Sequence, residues 1–305
     1  MLKFILRRSV GMVITLFVII IVSFFVIRLA KGSPFSQERE VPPEVLKDLE
    51  ARYGFDKPLP QQFYNYMNNI VHGDLGLSTK YPQRTVNEII AISLPKTMVL
   101  GFFALLWAVI VGVTAGVVGA VRQNTKWDYS AMSLAMVGIS LPSFVLGPLL
   151  ILFFALYLLW LPAGGWGSAK HLILPAITLG TIYAAYIARL TRGGMLEVIR
   201  ANFIRTARAK GLKEQVVIWK HAFKGGILPV VTFLGPAIAN IMVGSVVVEK
   251  IFNTPGLGPY FVDAAFNRDY FLIMGIVIVY SAFLLILNLL VDVVYGFIDP
   301  RIRYE

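Results

Sequence analysis

Side chains suited to chemistry are few among these 305 residues. There is no cysteine, which removes a thiolate nucleophile, a disulfide and a sulfur-ligated metal. His72, His171 and His221 lie far apart, a spacing that does not assemble a zinc site. The "GIS" at 138–140 has the composition of a serine nucleophile loop, but it falls inside an apolar run with no histidine nearby. Its small residues therefore read as helix-packing positions. No Gly-x-x-x-x-Gly-Lys-Ser/Thr occurs, so the chain does not bind ATP by that route. Arg189, Glu249 and Asp292 sit near the ends of apolar runs, which leaves no convincing relay for a gradient-driven carrier. A membrane enzyme is disfavoured, and energy for uphill movement would have to come from a partner.

One stretch does concentrate functional groups. Residues 193–224, "GGMLEVIRANFIRTARAKGLKEQVVIWKHAFK", are basic and helix-prone in an otherwise apolar chain. From Arg189 to Lys224 there are nine basic and two acidic side chains, most of the formal net charge of +11. Leu196, Ile199, Phe203 and Ala207 recur at helical spacing in its first half, and Leu212, Val216, Trp219 and Phe223 in its second. Between them "ARAKGL" offers small residues and then Gly211, a residue able to end a helix in the left-handed conformation. Two short amphipathic helices with a sharp corner are expected. Such a pair either lies against anionic lipid through its basic face, or forms a bracket whose corner enters a groove on a cytoplasmic protein. Small residues at the corner favour the bracket, because lipid binding does not require close approach.

The elements that position this stretch are read from hydropathy. With 57% hydrophobic and 15% charged residues and a mean hydropathy of +0.72, the chain is an integral membrane protein. Runs long enough to cross a hydrocarbon core of about 30 Å fall at 9–27, 97–121, 131–160, 173–187, 227–248 and 271–298. The first is too long for a signal core and lacks a small-residue cleavage pattern, so it is expected to be a retained anchor. The third contains Pro142 and Pro148 and, with no polar turn dividing it, is expected to be one kinked helix. Pro175 and Gly180 interrupt the fourth. Basic residues gather at Lys3, Arg7 and Arg8, at Arg122 and Lys126, along 189–224, and at Arg301 and Arg303. The short connections on the other side hold only Lys170, Lys250 and Arg268, a bias that places both termini in the cytoplasm.

The connection 31–94 is then outside. "PPEVLKDLEARYG" opens on prolines, spaces Val45, Leu46, Leu49 and Tyr53 along one face and stops at Gly54. "PLPQQFYNYMNNIVHG" repeats the design with Phe63, Tyr66, Met67 and Ile70. Two short amphipathic helices are expected there, serving either as a docking platform or as a lid packed on the helix ends.

"NFIRTARAKGL" followed by "HAFKGGILPVV" resembles the cytoplasmic loop motif of permease subunits in binding-protein-dependent ABC importers, in the form of the peptide and nickel branch. Ala207 and Gly211 match the general motif, while Arg205 and Thr206 replace its Glu and Ala, and His221, Phe223 and Lys224 stand where Ile-x-Leu-Pro is usual. "RLAKGSPF", "HGDLGLS", "QNTKWDY", "IFNTPGLG", "NRDY" and "DPRIRY" extend the resemblance over the whole chain, towards the first membrane subunit of an oligopeptide permease. Gly-Ser-Pro at 32–34, where many dipeptide relatives have Gly-Asp-Pro, tilts the reading towards oligopeptides.

The resemblance implies an all-α integral membrane protein of six transmembrane helices with the type I ABC importer permease fold. It also implies a homologous second permease, two ATPase subunits that carry ATP and Mg, and an extracytoplasmic peptide-binding protein. This chain would bind no cofactor and no nucleic acid, and its remaining neighbour would be membrane lipid. Thr206, Ala207, Arg208, Ala209, Lys210, Gly211 and Leu212 would couple to an ATPase, with Arg208 and Lys210 meeting the groove rim. Leu196, Phe203, Leu212 and Trp219 would hold this bracket to the transmembrane helices. Asn240, Met242, Ser245 and Glu249 are candidates for the path, with Arg28 and Glu249 as gate residues or an outer pair, although Gly244 and Ser245 read somewhat better as packing positions. The expected organisation is a tail and first helix at 1–30, an extracytoplasmic loop at 31–94, and a transmembrane core at 95–299 containing the cytoplasmic loop 189–226. A cytoplasmic tail at 300–305 follows. Dipeptide, glutathione or nickel-chelate import stays open, as does a membrane scaffold or channel subunit not coupled to an ATPase.

Overall fold

The N-terminal apolar run forms a single helix, α1 (Leu2–Leu29). The structure is a computed structural model that describes residues 2–29, 34–35 and 42–298. The tail at 300–305 and Gly32 and Ser33 of the Gly-Ser-Pro motif lie outside the described residues. Regular structure among the described residues is helical apart from an isolated bridge between Leu77 and Thr85. Two compact units are present, one largely Met1–Thr97 with Pro255–Leu289, the other largely Met98–Thr254.

In the first unit, α2 (Pro43–Tyr53) and α3 (Leu59–Val71) follow the expected pattern, each with proline in its first turn. Gly54 closes α2 at φ 71, donating its N–H to the Ala51 carbonyl. The apolar face of α3 is spent on its own chain. Phe63, Met67 and Ile70 pack with buried Tyr66 against Ile20 and Phe24 of α1 and against Met274 and Ile278 of α14 (Tyr270–Ile298). Tyr53 and Phe55, at the end of α2, lie against Phe271. Within the segment 31–94, α3 is thus packed on α1 and α14.

The loop before α4 (Val86–Val121) is anchored by Asp269, which caps α14 through Leu272 N–H at 3.1 Å. The buried Asp269 carboxylate also accepts from the Ser78 hydroxyl and from Lys80 N–H. α4 begins well before residue 95. Thr85 and Glu88 form a reciprocal capping box, each side-chain oxygen accepting the other's N–H at 3.2 Å, so the expected loop boundary at 94/95 falls inside the helix. Later in this unit comes α13 (Leu257–Asn267), whose first N–H donates to the buried Thr97 hydroxyl at 3.0 Å.

The second unit contains α5 (Lys126–Ser140), α6 (Ser143–Leu150) with a π-helical extension Ile151–Tyr157, and α7 (Ala169–Ile199). Here the single kinked helix expected over 131–160 is corrected: α5 and α6 meet at 112°. Proline disfavours the helical region for the residue before it, and Leu141, preceding Pro142, is extended at φ −88, ψ 115. The run 173–187, by contrast, is part of an unbroken 31-residue helix that accommodates Pro175. Close helix approach explains the small residues. A Cβ on Gly112 or Gly116 would lie 2.6 Å from the carbonyl of Ala184 or Ala188, so these glycines let α4 and α7 touch backbone to backbone. Gly138 of the "GIS" motif does the same for α5, where an added Cβ would meet Thr181 at 2.8 Å. Among the described residues, helices Ile5–Leu29, Val86–Val121, Ala169–Ile199 and Tyr270–Val293 are long and apolar enough to cross a membrane, and two bent helix pairs bring the possible spans to six.

Candidate functional site

Past Ile199 the chain breaks helix at Arg200, re-enters it as α8 (Asn202–Ala209), and turns at Lys210–Lys213. It then resumes as α9 (Glu214–Val216), a π-helical turn Val217–Ala222, and α10 (Phe223–Gly226). The corner is made as the sequence suggests: Gly211 is left-handed at φ 78, its N–H donating to Arg208 O at 2.9 Å. Across the corner Arg208 clips Glu214 through Nη2 to Oε1 at 2.6 Å and Nε to Oε2 at 3.1 Å. Those bonds raise the Arg208 guanidinium above its ordinary value. Thr206, Arg208, Ala209, Lys210, Gly211 and Leu212 are exposed, and Ala207 is buried beneath them.

What holds the bracket differs from expectation. Phe203, Leu212 and Trp219 are 55%, 40% and 56% exposed, so they do not fix it to the transmembrane helices. Ile204, Ala207, Val217 and Ala222 do so, packed with Ala120 at the end of α4 and Met195 of α7, with Leu196 and Phe223 partly buried beside them. On the first expected face Ala207 is buried but Phe203 is not, because the helix breaks at Arg200–Ala201 between Ile199 and Phe203, and the π turn at Val217–Ala222 likewise turns Trp219 outward. Met195, Ile204 and Val217 are fully buried, each stabilising by roughly 1.5–3 kcal/mol. The clamp is closed by two glycines, since a Cβ on Gly194 would lie 2.3 Å from Gly226 O. Arg208, expected at a groove rim, is exposed and also bridges Glu214 across the corner.

Two charged residues were not singled out from the sequence. Asp128, at the start of α5, accepts from Arg192 Nε and Nη2 at 2.7 Å each and from Asn124 N–H at 3.0 Å. Its side chain is only 2% exposed. The available signal was an acid and a base each placed near the end of a different apolar run.

The path candidates divide. Asn240, near the end of α11 (Leu228–Met242), and Ser245 line a cleft of about 370 Å³ with Ser140, Ser143, Thr178 and Tyr183, at the α5–α6 break. Gly244 is left-handed at φ 81 just past the end of α11, and Ser245 caps α12 (Val246–Ile251) through Val248 N–H, so both sit at a chain break. Met242 is half-buried and is not among the residues lining that cleft. Glu249 is fully buried on α12. Arg28 belongs to the other unit, where its Nε donates to Gln62 Oε1 at 3.0 Å and its guanidinium lies 3.6 Å above the Phe24 ring.

Apolar spans, broken helices and an exposed two-helix loop between spans describe a multi-pass membrane protein, and sequence comparison gives its class. A family described as "Binding-protein-dependent transport system inner membrane component" matches residues 90–304, and its N-terminal counterpart matches residues 1–101. The chain belongs to this family and is a multi-pass inner-membrane protein. It is 51% identical over 306 residues, covering 100% of both chains, to the oligopeptide transport system permease protein OppB of Salmonella typhimurium. Identity is 44% to the dipeptide permease protein DppB of Bacillus subtilis, over 99% of this chain and 98% of that one. It is 40% to the glutathione permease protein GsiC of Pectobacterium atrosepticum, over 100% of each. Among solved structures, inward-facing MetNI methionine ABC transporter matches with a TM-score of 0.53 at 18% identity, over 69% of this chain and 94% of that chain. The fold is that of a type I importer permease.

Proposed function

We propose that the chain is one of two membrane subunits of an ATP-driven importer and forms half of the path taken by oligopeptides delivered by an extracytoplasmic binding protein. The observation that carries this is end-to-end similarity at 51% identity to an oligopeptide permease, against 44% and 40% for the dipeptide and glutathione relatives. Both termini lie in the cytoplasm, as does the 189–226 loop, and 31–94 is extracytoplasmic. Two ATPase subunits hold ATP and Mg, and this chain binds neither.

The bracket enters a groove of one ATPase through Thr206, Arg208, Ala209, Lys210, Gly211 and Leu212, with Ala207 packed behind them. Exposure of these six and burial of Ala207 support that assignment. ATP-driven closure of the ATPase pair would then swing the membrane helices between inward-open and outward-open states. Asn240 and Ser245 offer polar contacts to the moving peptide from the cleft at the α5–α6 break.

The test is purification from the native membrane followed by ATPase assay with and without peptide-loaded binding protein. Co-purification of a second permease and ATPases, with hydrolysis stimulated by longer peptides more than by dipeptides or glutathione, is expected. Recovery with no ATPase would refute the importer reading, and stimulation confined to dipeptides or glutathione would refute the substrate.

A further inference from the structure

Resting on the coupling role proposed for the bracket, we infer that Asp128 and Arg192 are a positioning pair that passes bracket movement to the broken helix lining the polar cleft. Arg192 precedes Gly194 and Met195, the α7 residues against which the bracket packs. Its guanidinium makes two 2.7 Å bonds to the two oxygens of Asp128, and Asn124 N–H supplies a third bond at 3.0 Å. On the α4 side, a Cβ on Gly119 would lie 3.1 Å from Asp128 Oδ1 and 3.2 Å from Arg192 Cδ. The end of α4 and the start of α5 thus meet α7 at this charge pair, whose carboxylate is buried and whose guanidinium is partly exposed.

A bidentate fork fixes direction as well as distance. α7 cannot slide or rotate against α5 without breaking two charge-assisted bonds. From this pair α5 runs to the Leu141–Pro142 break, where Ser140 and Ser143 face the same cleft as Asn240 and Ser245. Along the way Gly138 keeps α5 against Thr181 of α7. Displacement of the bracket is therefore delivered through α7 to α5 as a rigid shift at the cleft.

The experiment reconstitutes the complete complex and binding protein in proteoliposomes and measures peptide taken up per ATP hydrolysed. Asp128→Asn is compared with the double variant Asp128→Asn/Arg192→Gln, which leaves no unpaired charge. Assembly with peptide uptake per ATP reduced by about twofold to thirtyfold is expected, the range for residues on a coupling route. An unchanged ratio, with uptake and hydrolysis falling together, would overturn the inference. Failure of the double variant to assemble would overturn it too, since the pair would then be structural. Should the unmutated complex show no hydrolysis stimulated by loaded binding protein, the coupling reading itself fails, and that control separates the two.

Discussion

Gly211 is the position where backbone conformation alone sets the bracket. Its φ of 78 is left-handed, and an added Cβ would meet nothing within 4 Å, so substitution costs only what the backbone charges. A residue bearing Cβ pays about 1–2 kcal/mol to sit there, equivalent to roughly 5–30-fold in a two-state ratio. Asparagine tolerates this region better than alanine. Proline cannot reach it, because its ring locks φ at about −65°, and it also removes the N–H that bonds to Arg208 O at 2.9 Å. Gly211→Asn, Gly211→Ala and Gly211→Pro should therefore reduce stimulation of ATP hydrolysis by loaded binding protein in that order, with proline abolishing it. All three chains should remain inserted, since the bracket is held by Ile204, Val217 and Met195 rather than by the corner. The assay is ATPase stimulation of the purified complex, normalised to the amount of ATPase retained. Normal stimulation by Gly211→Pro, or asparagine worse than alanine, would refute a role set by the left-handed corner.

Ala207→Trp should uncouple transport from hydrolysis while leaving the chain in the membrane, because overpacking a buried site costs about 1–3 kcal/mol and here displaces the exposed corner; normal uptake by this variant would count against the bracket. Gly194→Val should lower the unfolding temperature of the solubilised complex, since its Cβ would lie 2.3 Å from Gly226 O, and an unchanged temperature would mean α7 and α10 do not touch there. Asp269→Ala should leave the Ser78 hydroxyl and two backbone N–H groups without their acceptor, at about 1–3 kcal/mol each. Limited proteolysis should then cut the 76–85 loop faster, and unchanged cleavage would contradict the anchoring described.

Some of this was readable without coordinates. Long apolar runs and the bias of basic residues determined the membrane class, because transfer from water to hydrocarbon sums along the chain irrespective of tertiary contacts. Gly54 and Gly211 marked helix ends correctly, since a left-handed cap is a property of one residue. The Gly211 corner, and with it the bracket, was legible for the same reason. Its packing face was not. Phe203 and Trp219 have the spacing of buried residues, yet the break at Arg200–Ala201 and the π turn at Val217–Ala222 turn them outward. Asp128 and Arg192 lie 64 positions apart, and Ser78 and Asp269 are 191 apart. Only the tertiary structure decided those pairings, because a salt bridge depends on where two helices cross, and no local periodicity carries that distance.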